Sequence, residues 1–163
     1  MDHETWVDGQ RRMRVETPNH AFDVAYREGG DPGDDVVPTL FVHGIPTWGF
    51  LFRDVREAAA HHVVPDLVGY GYTDHVGDGG YDRSIRVQER VLRRLLDALG
   101  HDRVQVVAHD IGGGVALRLA CNSDRVDRLV LSNAVCYDAW PTPFINDLAN
   151  PDAARGWDRS DVA

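Results

Sequence analysis

Short apolar blocks alternate with turn-rich and helical stretches along this chain, and their periods can be read directly. Residues 7–14 and 22–27 read as two opening strands. The second, Phe22-Asp23-Val24-Ala25-Tyr26, shows the period-two alternation of a half-exposed strand. The turn-rich run Gly29-Gly30-Asp31-Pro32-Gly33-Asp34-Asp35 separates them from Thr39-Leu40-Phe41-Val42, a continuous apolar run of the kind a buried parallel strand needs. A short helix over residues 50–59 follows. His62-Val63-Val64 then gives a strand that breaks at Pro65 into a loop reaching Asp74. The clearest helix starts after Ser84, a good N-cap. Val87, Val91, Leu92, Leu95 and Leu99 recur at helical spacing before Gly100 closes it. Residues 103–108 are expected as a strand, 113–121 as a helix and 127–131 as another strand. Strands alternating with helices call for an α/β fold, a mostly parallel sheet with helices on both faces. From Asn133 onward the pattern dissolves into Trp140-Pro141-Thr142-Pro143 and a polar, Asp-rich tail. No internal repeat or low-complexity segment interrupts it.

The chemistry concentrates at Val106-Val107-Ala108-His109-Asp110-Ile111-Gly112-Gly113-Gly114, an apolar strand running into small residues and then a helix. This is the pattern of a nucleophile elbow, whose central residue is held in a strained conformation at the tip of a sheet. Small residues are needed two before it and two and three after it, and Ala108, Gly112 and Gly113 fill those places. The central residue here is Asp110. A carboxylate attacks amides and esters poorly, but it displaces a leaving group from a saturated carbon to form an enzyme ester that water then hydrolyses. The expected substrate is a small molecule with an sp3 electrophile.

Three blocks in this order, His43-Gly44-Ile45-Pro46-Thr47-Trp48, then residues 66–74, then residues 108–114, resemble the α/β-hydrolase fold. The closer similarity is to its haloalkane dehalogenase and epoxide hydrolase branch, which uses an aspartate nucleophile, and it covers roughly residues 20–145. The resemblance implies that Asp110 is the nucleophile and that the backbone N–H groups of Ile45 and Ile111 form the oxyanion hole. Such donors contribute roughly 3 to 4 kcal/mol each in comparable sites. It also implies supporting roles for His43, Gly44, Pro46, His109, Gly112 and Gly113, with His43 bracing its loop and Pro46 helping to fix it. Trp48 is a candidate pocket residue. Dehalogenases of this branch follow the nucleophile with a tryptophan that binds the leaving halide, and some place an asparagine at the Ile45 position. Neither donor is present here, so a lid supplies the halide contacts or the leaving group differs. Trp140 and Trp157 remain, as packing residues by preference. Asn133 stands, uncharged, where some members keep the acidic partner of the catalytic histidine.

That histidine is expected near the C-terminal end of the sheet, and no histidine follows His109 in this chain. His109 adjoins Asp110 on the strand and should point away from it. His61, His62, His75 and His101 are read as surface or internally satisfied histidines, and no metal site or cofactor is expected. By this reading residues 1–135 are the N-terminal part of an α/β-hydrolase core and residues 136–163 the start of a lid or a disordered tail. The last strands are missing, as in a truncated product, a fragment or half of a split protein. The strand at 127–131 would then present an open apolar edge suited to self-association or to a complementing C-terminal chain.

Composition adds limits. The 163 residues carry a formal net charge of -9, and all 17 basic residues are arginine. A lysine-free acidic surface fits a salt-loving organism or GC-rich coding, and without a basic patch it argues against nucleic acid as a partner. Cys121 and Cys136 have no CxxC spacing and are expected as reduced thiols. No long apolar run and no signal-peptide pattern is seen, which points to a cytoplasmic protein without membrane contact. Other readings are weaker. A dinucleotide site at Gly112-Gly113-Gly114 would need Gly or Ala at Leu117, and a metal phosphohydrolase built on His109-Asp110 lacks further ligands at convincing spacing. A non-catalytic fragment that pairs with another chain is the remaining alternative.

Overall fold

The computed structural model describes residues 1–33 and 35–136 and, beyond them, Pro141, Pro143, Asn146 and Asn150. Most of the expected lid or tail, including Trp140 and Trp157, therefore lies outside the described residues. The strands are β1 (Arg11–Glu16), β2 (Ala21–Gly30), β3 (Thr39–Val42), β4 (His61–Pro65), β5 (Asp74–Val76), β6 (Val104–His109) and β7 (Val126–Ser132), and the helices α1 (His3–Asp8), α2 (Ile85–Leu99) and α3 (Ile111–Asn122). They form one sheet in the order β1-β2-β4-β3-β6-β7, with β5 added to β2. The pairs β4-β3, β3-β6 and β6-β7 are parallel, while β1, β2 and β5 pair antiparallel. This is the expected α/β architecture, a mostly parallel sheet with helices flanking it.

Alternation along the strands divides the core into two layers. Leu40, Val42, Val63, Val106 and Ala108 face α2 and α3, meeting Val91, Leu92, Leu95, Leu96, Val115 and Leu119. Their neighbours Phe41, Val64 and Val107 face the other way, against Trp6 of α1 and Phe52. Each fully buried leucine contributes about 2 to 3 kcal/mol from its area removed from water, so the α2 stripe anchors the fold. Its termini are those expected: Ser84 Oγ accepts from Val87 N, and Gly100 closes the helix at φ 75°.

Several elements differ from the sequence reading. Residues 7–14 are not one strand, because Val7 and Asp8 end α1 and β1 begins only at Arg11. Asp2 caps α1 through Thr5 N at 2.8 Å, and Trp6 is buried beneath the Arg27 and Arg56 guanidiniums at 5.2 and 5.4 Å from its ring. Tertiary packing of one tryptophan holds a helix too short to show a period. The helix expected at 50–59 is instead two 3₁₀ turns, Gly49–Phe52 and Arg56–Ala58, closed by i→i+3 bonds such as Leu51 N to Trp48 O at 2.9 Å. Gly29 and Gly30 extend β2 instead of starting the loop, since Gly30 pairs with His61. The three-residue β5 was not foreseen. It has no apolar pattern of its own and exists by pairing with residues 21–23.

Among the described residues β7 ends the sheet, and Val130 and Leu131 on it are 57% and 40% exposed. Val130 borders a groove of about 840 Å³ with Phe41, Val55 and Val107. The apolar edge expected from the sequence is present.

Candidate functional site

β6 delivers Asp110 to the C-terminal end of the parallel strands, and α3 starts at the next residue. Asp110 has φ 54° and ψ -125°, a region that an L-residue with a side chain seldom occupies and that surrounding structure must enforce. The enforcement is visible. Asp110 N donates to Ser132 O at 3.1 Å, and Asp110 O accepts from Gly113 N at 2.9 Å and Val135 N at 3.0 Å. Close packing explains the small residues around it. A Cβ on Gly112 would lie 2.4 Å from the carbonyl oxygens of Val42 and His43, and one on Gly44 would lie 2.3 Å from Asp110 Cβ. The ends of β3 and β6 therefore meet backbone to backbone.

That approach puts the N–H of Ile45 on the Asp110 carboxylate, donating to Oδ1 at 3.0 Å. The Ile45–Pro46 peptide is cis. Gly44 O accepts from Thr47 N at 3.1 Å and Thr47 Oγ1 at 2.8 Å. It also accepts from His43 Nδ1 at 2.9 Å. His43 is fully buried, and its Nε2 accepts from Leu67 N at 2.8 Å. The two bonds fix the neutral Nδ1–H tautomer. Burial lowers the His43 pKa to about 4, against the opposing effects of the Gly44 bond and the Asp110 charge. Its bonds link the 43–47 turn to the 66–73 loop.

Ile111 opens α3, half-buried, but among the described residues its N–H makes no hydrogen bond to the Asp110 carboxylate. Of the two expected backbone donors, the structure joins only Ile45 to Asp110 directly. His109 Nδ1 faces Ser132 O at 3.1 Å and Ser132 Oγ at 3.4 Å, engaging β7. Trp48 stacks on Phe50 at 5.5 Å and meets Trp6 and Tyr72 edge-on. It belongs to the aromatic layer with Trp6 and Phe52.

Other residues that shape the site were not singled out one by one in the sequence. Asp66 is buried and collects Gly49 N on Oδ1 and both Tyr72 N and Gln10 Nε2 on Oδ2, each at 2.9 Å. Burial raises its pKa, and those three bonds oppose the rise. Gln88 of α2 accepts from Val68 N at 2.8 Å and donates to Val68 O at 2.9 Å, holding the loop from the other side. Tyr70 lies edge-on to His43 at 5.7 Å, and burial pushes its hydroxyl pKa up, with the Asp110 charge adding to the rise. Gly71 was the available hint to Asp66: at φ 53°, a Cβ there would sit 2.3 Å from Asp66 Oδ2.

A strained carboxylate with one oxygen held by backbone, beside a braced turn, invites comparison with known proteins. Residues 37–161 match the family model for the alpha/beta hydrolase fold. The chain is 34% identical over 115 residues to a cis-3-alkyl-4-alkyloxetan-2-one decarboxylase of Shewanella oneidensis, covering 66% of this chain and 36% of that protein. It is also 34% identical over 139 residues to a haloalkane dehalogenase of Psychrobacter cryohalolentis, covering 72% and 45%. The crystal structure of an ancestral haloalkane dehalogenase superposes with a TM-score of 0.70 at 27% identity, over 88% of this chain and 52% of that one. The chain thus spans between about a third and a half of the relatives it matches. No helix among the described residues is long and apolar enough to cross a membrane. With the family model matched over more than half its length and the sheet order to go with it, the chain belongs to the alpha/beta hydrolase fold family, related to the haloalkane dehalogenase and epoxide hydrolase branch.

Proposed function

We propose that this chain carries the nucleophilic half of a hydrolase acting on small organic molecules at an sp3 carbon, like a haloalkane dehalogenase. Asp110 is the nucleophile and the 108–114 turn its elbow. The observation that carries this reading is the strained Asp110 at φ 54° whose Oδ1 accepts from Ile45 N. With Oδ1 held, Oδ2 is the oxygen that attacks. It forms a C–O bond as the bond to the leaving group breaks and that group departs with the electron pair. Water then adds to Cγ of the ester, and the oxyanion that develops is met by Ile45 N–H and, at the free first turn of α3, by Ile111 N–H. Proton removal from that water calls for a base, and neither His43, buried and neutral, nor His109, tied to Ser132, plays that part.

An epoxide hydrolase is the second reading, favoured by one feature. The side chains of Ile45 and Ile111 offer a departing halide no donor, whereas an opened epoxide keeps its oxygen on the substrate. Both readings are tested by incubating the folded chain with a reactive alkyl bromide and, separately, a small epoxide. Peptides spanning residue 110 are then weighed by mass spectrometry. An adduct on Asp110, absent from Asp110→Asn, is expected, and the electrophile that labels faster identifies the leaving group. A folded chain that gains no adduct from either reagent would leave the non-catalytic fragment as the better description.

A further inference from the structure

We infer that Glu28, His61 and His101 form a site for one divalent transition-metal ion of the zinc class, far from Asp110. Glu28 lies near the end of β2, His61 opens β4 and His101 sits in the turn between α2 and β6. Pairing of Gly30 with His61 brings the first two together. The third is placed by its backbone, since His101 N donates to Leu96 O at 2.9 Å directly after the left-handed Gly100. Asp110 follows the last residue of β6 and this cluster precedes the first, so the sheet separates them.

The ligand atoms already converge. His61 Nε2 and His101 Nε2 each lie 3.2 Å from Glu28 Oε1, and all three atoms fall within 4.8 Å of one another. A tetrahedral zinc ion with bonds of roughly 2.0 to 2.1 Å separates its ligands by about 3.3 Å. Two of the three edges thus have the required length, and the third, between the two imidazole nitrogens, is no longer than 4.8 Å. Their rings stand edge to face at 5.1 Å and 79°, so neither blocks the other. The second carboxylate oxygen, Oε2, accepts from Arg11 Nη1 at 2.8 Å, which aims Oε1 at the histidines in the way that outer partners orient metal ligands. The side chains of His61, Glu28 and His101 are 5%, 16% and 14% exposed, sheltered yet reachable by an ion. Here each imidazole donates its Nε2 proton to Glu28. On binding, each proton moves to Nδ1, leaving a neutral ligand with its lone pair on the metal and water at the fourth position. The ion would cross-link β2, β4 and the α2–β6 turn.

The test titrates the untagged, metal-stripped chain with Co²⁺, read by visible absorption, and with Zn²⁺ in competition with a chromophoric chelator. One equivalent should bind with the intense bands of tetrahedral cobalt. Zn²⁺ affinity should fall at least about tenfold in His101→Ala and in Glu28→Gln, each verified as folded by circular dichroism. His75→Ala, which removes ring contacts with His20, Phe22 and Tyr81 and none with the cluster, should bind as the parent does. As an independent readout, Zn²⁺ should raise the melting temperature of the parent and not that of Glu28→Gln. No saturable binding near one equivalent, or equal affinity in parent and both ligand variants, would overturn the assignment.

Discussion

The backbone N–H of Ile45 donates to Oδ1 of Asp110 at 3.0 Å, joining residues that are 65 positions apart in the chain. The bond is made because the turn after β3 and the turn after β6 touch without intervening side chains. Gly44 faces Asp110, and Gly112 faces the carbonyls of Val42 and His43. In the proposed reaction it leaves Oδ2 as the attacking oxygen.

A methyl group at either glycine should break this contact in a distinguishable way. In Gly112→Ala the obstruction is backbone, which cannot swing aside, so a loss of about 2 to 3 kcal/mol is expected in chemical denaturation. In Gly44→Ala the nearest obstruction is Asp110 Cβ at 2.3 Å, fixed by its backbone, with Oδ1 at 2.6 Å. Stability should fall by a similar amount, and here the rate of adduct formation on Asp110 should also fall, by about tenfold or more. Gly80→Ala, with nothing within 4 Å of its Cβ, should stay within about 0.5 kcal/mol of the parent.

His43 should make stability depend on pH. Its pKa is lowered from 6.5 to about 4 in the folded chain, so between these values the unfolded chain binds the extra proton. Stability is full above about pH 6.5 and is lost as pH falls toward 4, by about 3 kcal/mol in all. Protonation would also turn Nε2 from the acceptor of Leu67 N–H into a donor. Asp66 acts with the opposite sign. Burial raises its pKa from 3.8, so its protonation on acidification favours the folded chain. Denaturation midpoints measured from pH 8 to 4 should therefore fall steeply in the parent and with a shallower slope in His43→Asn. Parallel curves would remove His43 from this role.

The exposed edge should govern association. Val130, 57% exposed, borders the groove formed with Phe41 and Val107. Apolar edges of this kind recruit further strands. Light scattering after size exclusion should show the parent forming larger species as concentration rises. Val130→Asp should need roughly tenfold more protein to do the same. A parent that stays monomeric throughout would show that the edge is not sticky by itself.

Much of this arrangement was legible beforehand. The α2 stripe, its Ser84 and Gly100 ends, the buried β3 and the Asp110 turn follow from local period, capping and steric need, each of which is written within a few residues. Elements stabilised by partners far along the chain were not. Trp6 makes a helix of residues that resemble a strand, β5 exists only against β2, and Asp66 draws its donors from residues 10, 49 and 72. The histidines outside the elbow show the same divide. His61 and His101 read as surface or internally satisfied histidines, and only β2 pairing and the α2–β6 turn show that both meet on one oxygen of Glu28.

The sequence by itself determined the fold class and the position of the strained Asp110 turn, because period and glycine placement are local constraints on backbone geometry. Only the tertiary structure decided which oxygen of Asp110 is held, why His43 stays neutral, and where a second cluster of ligands meets. Each of those depends on distances between residues that sequence order keeps apart and burial brings together.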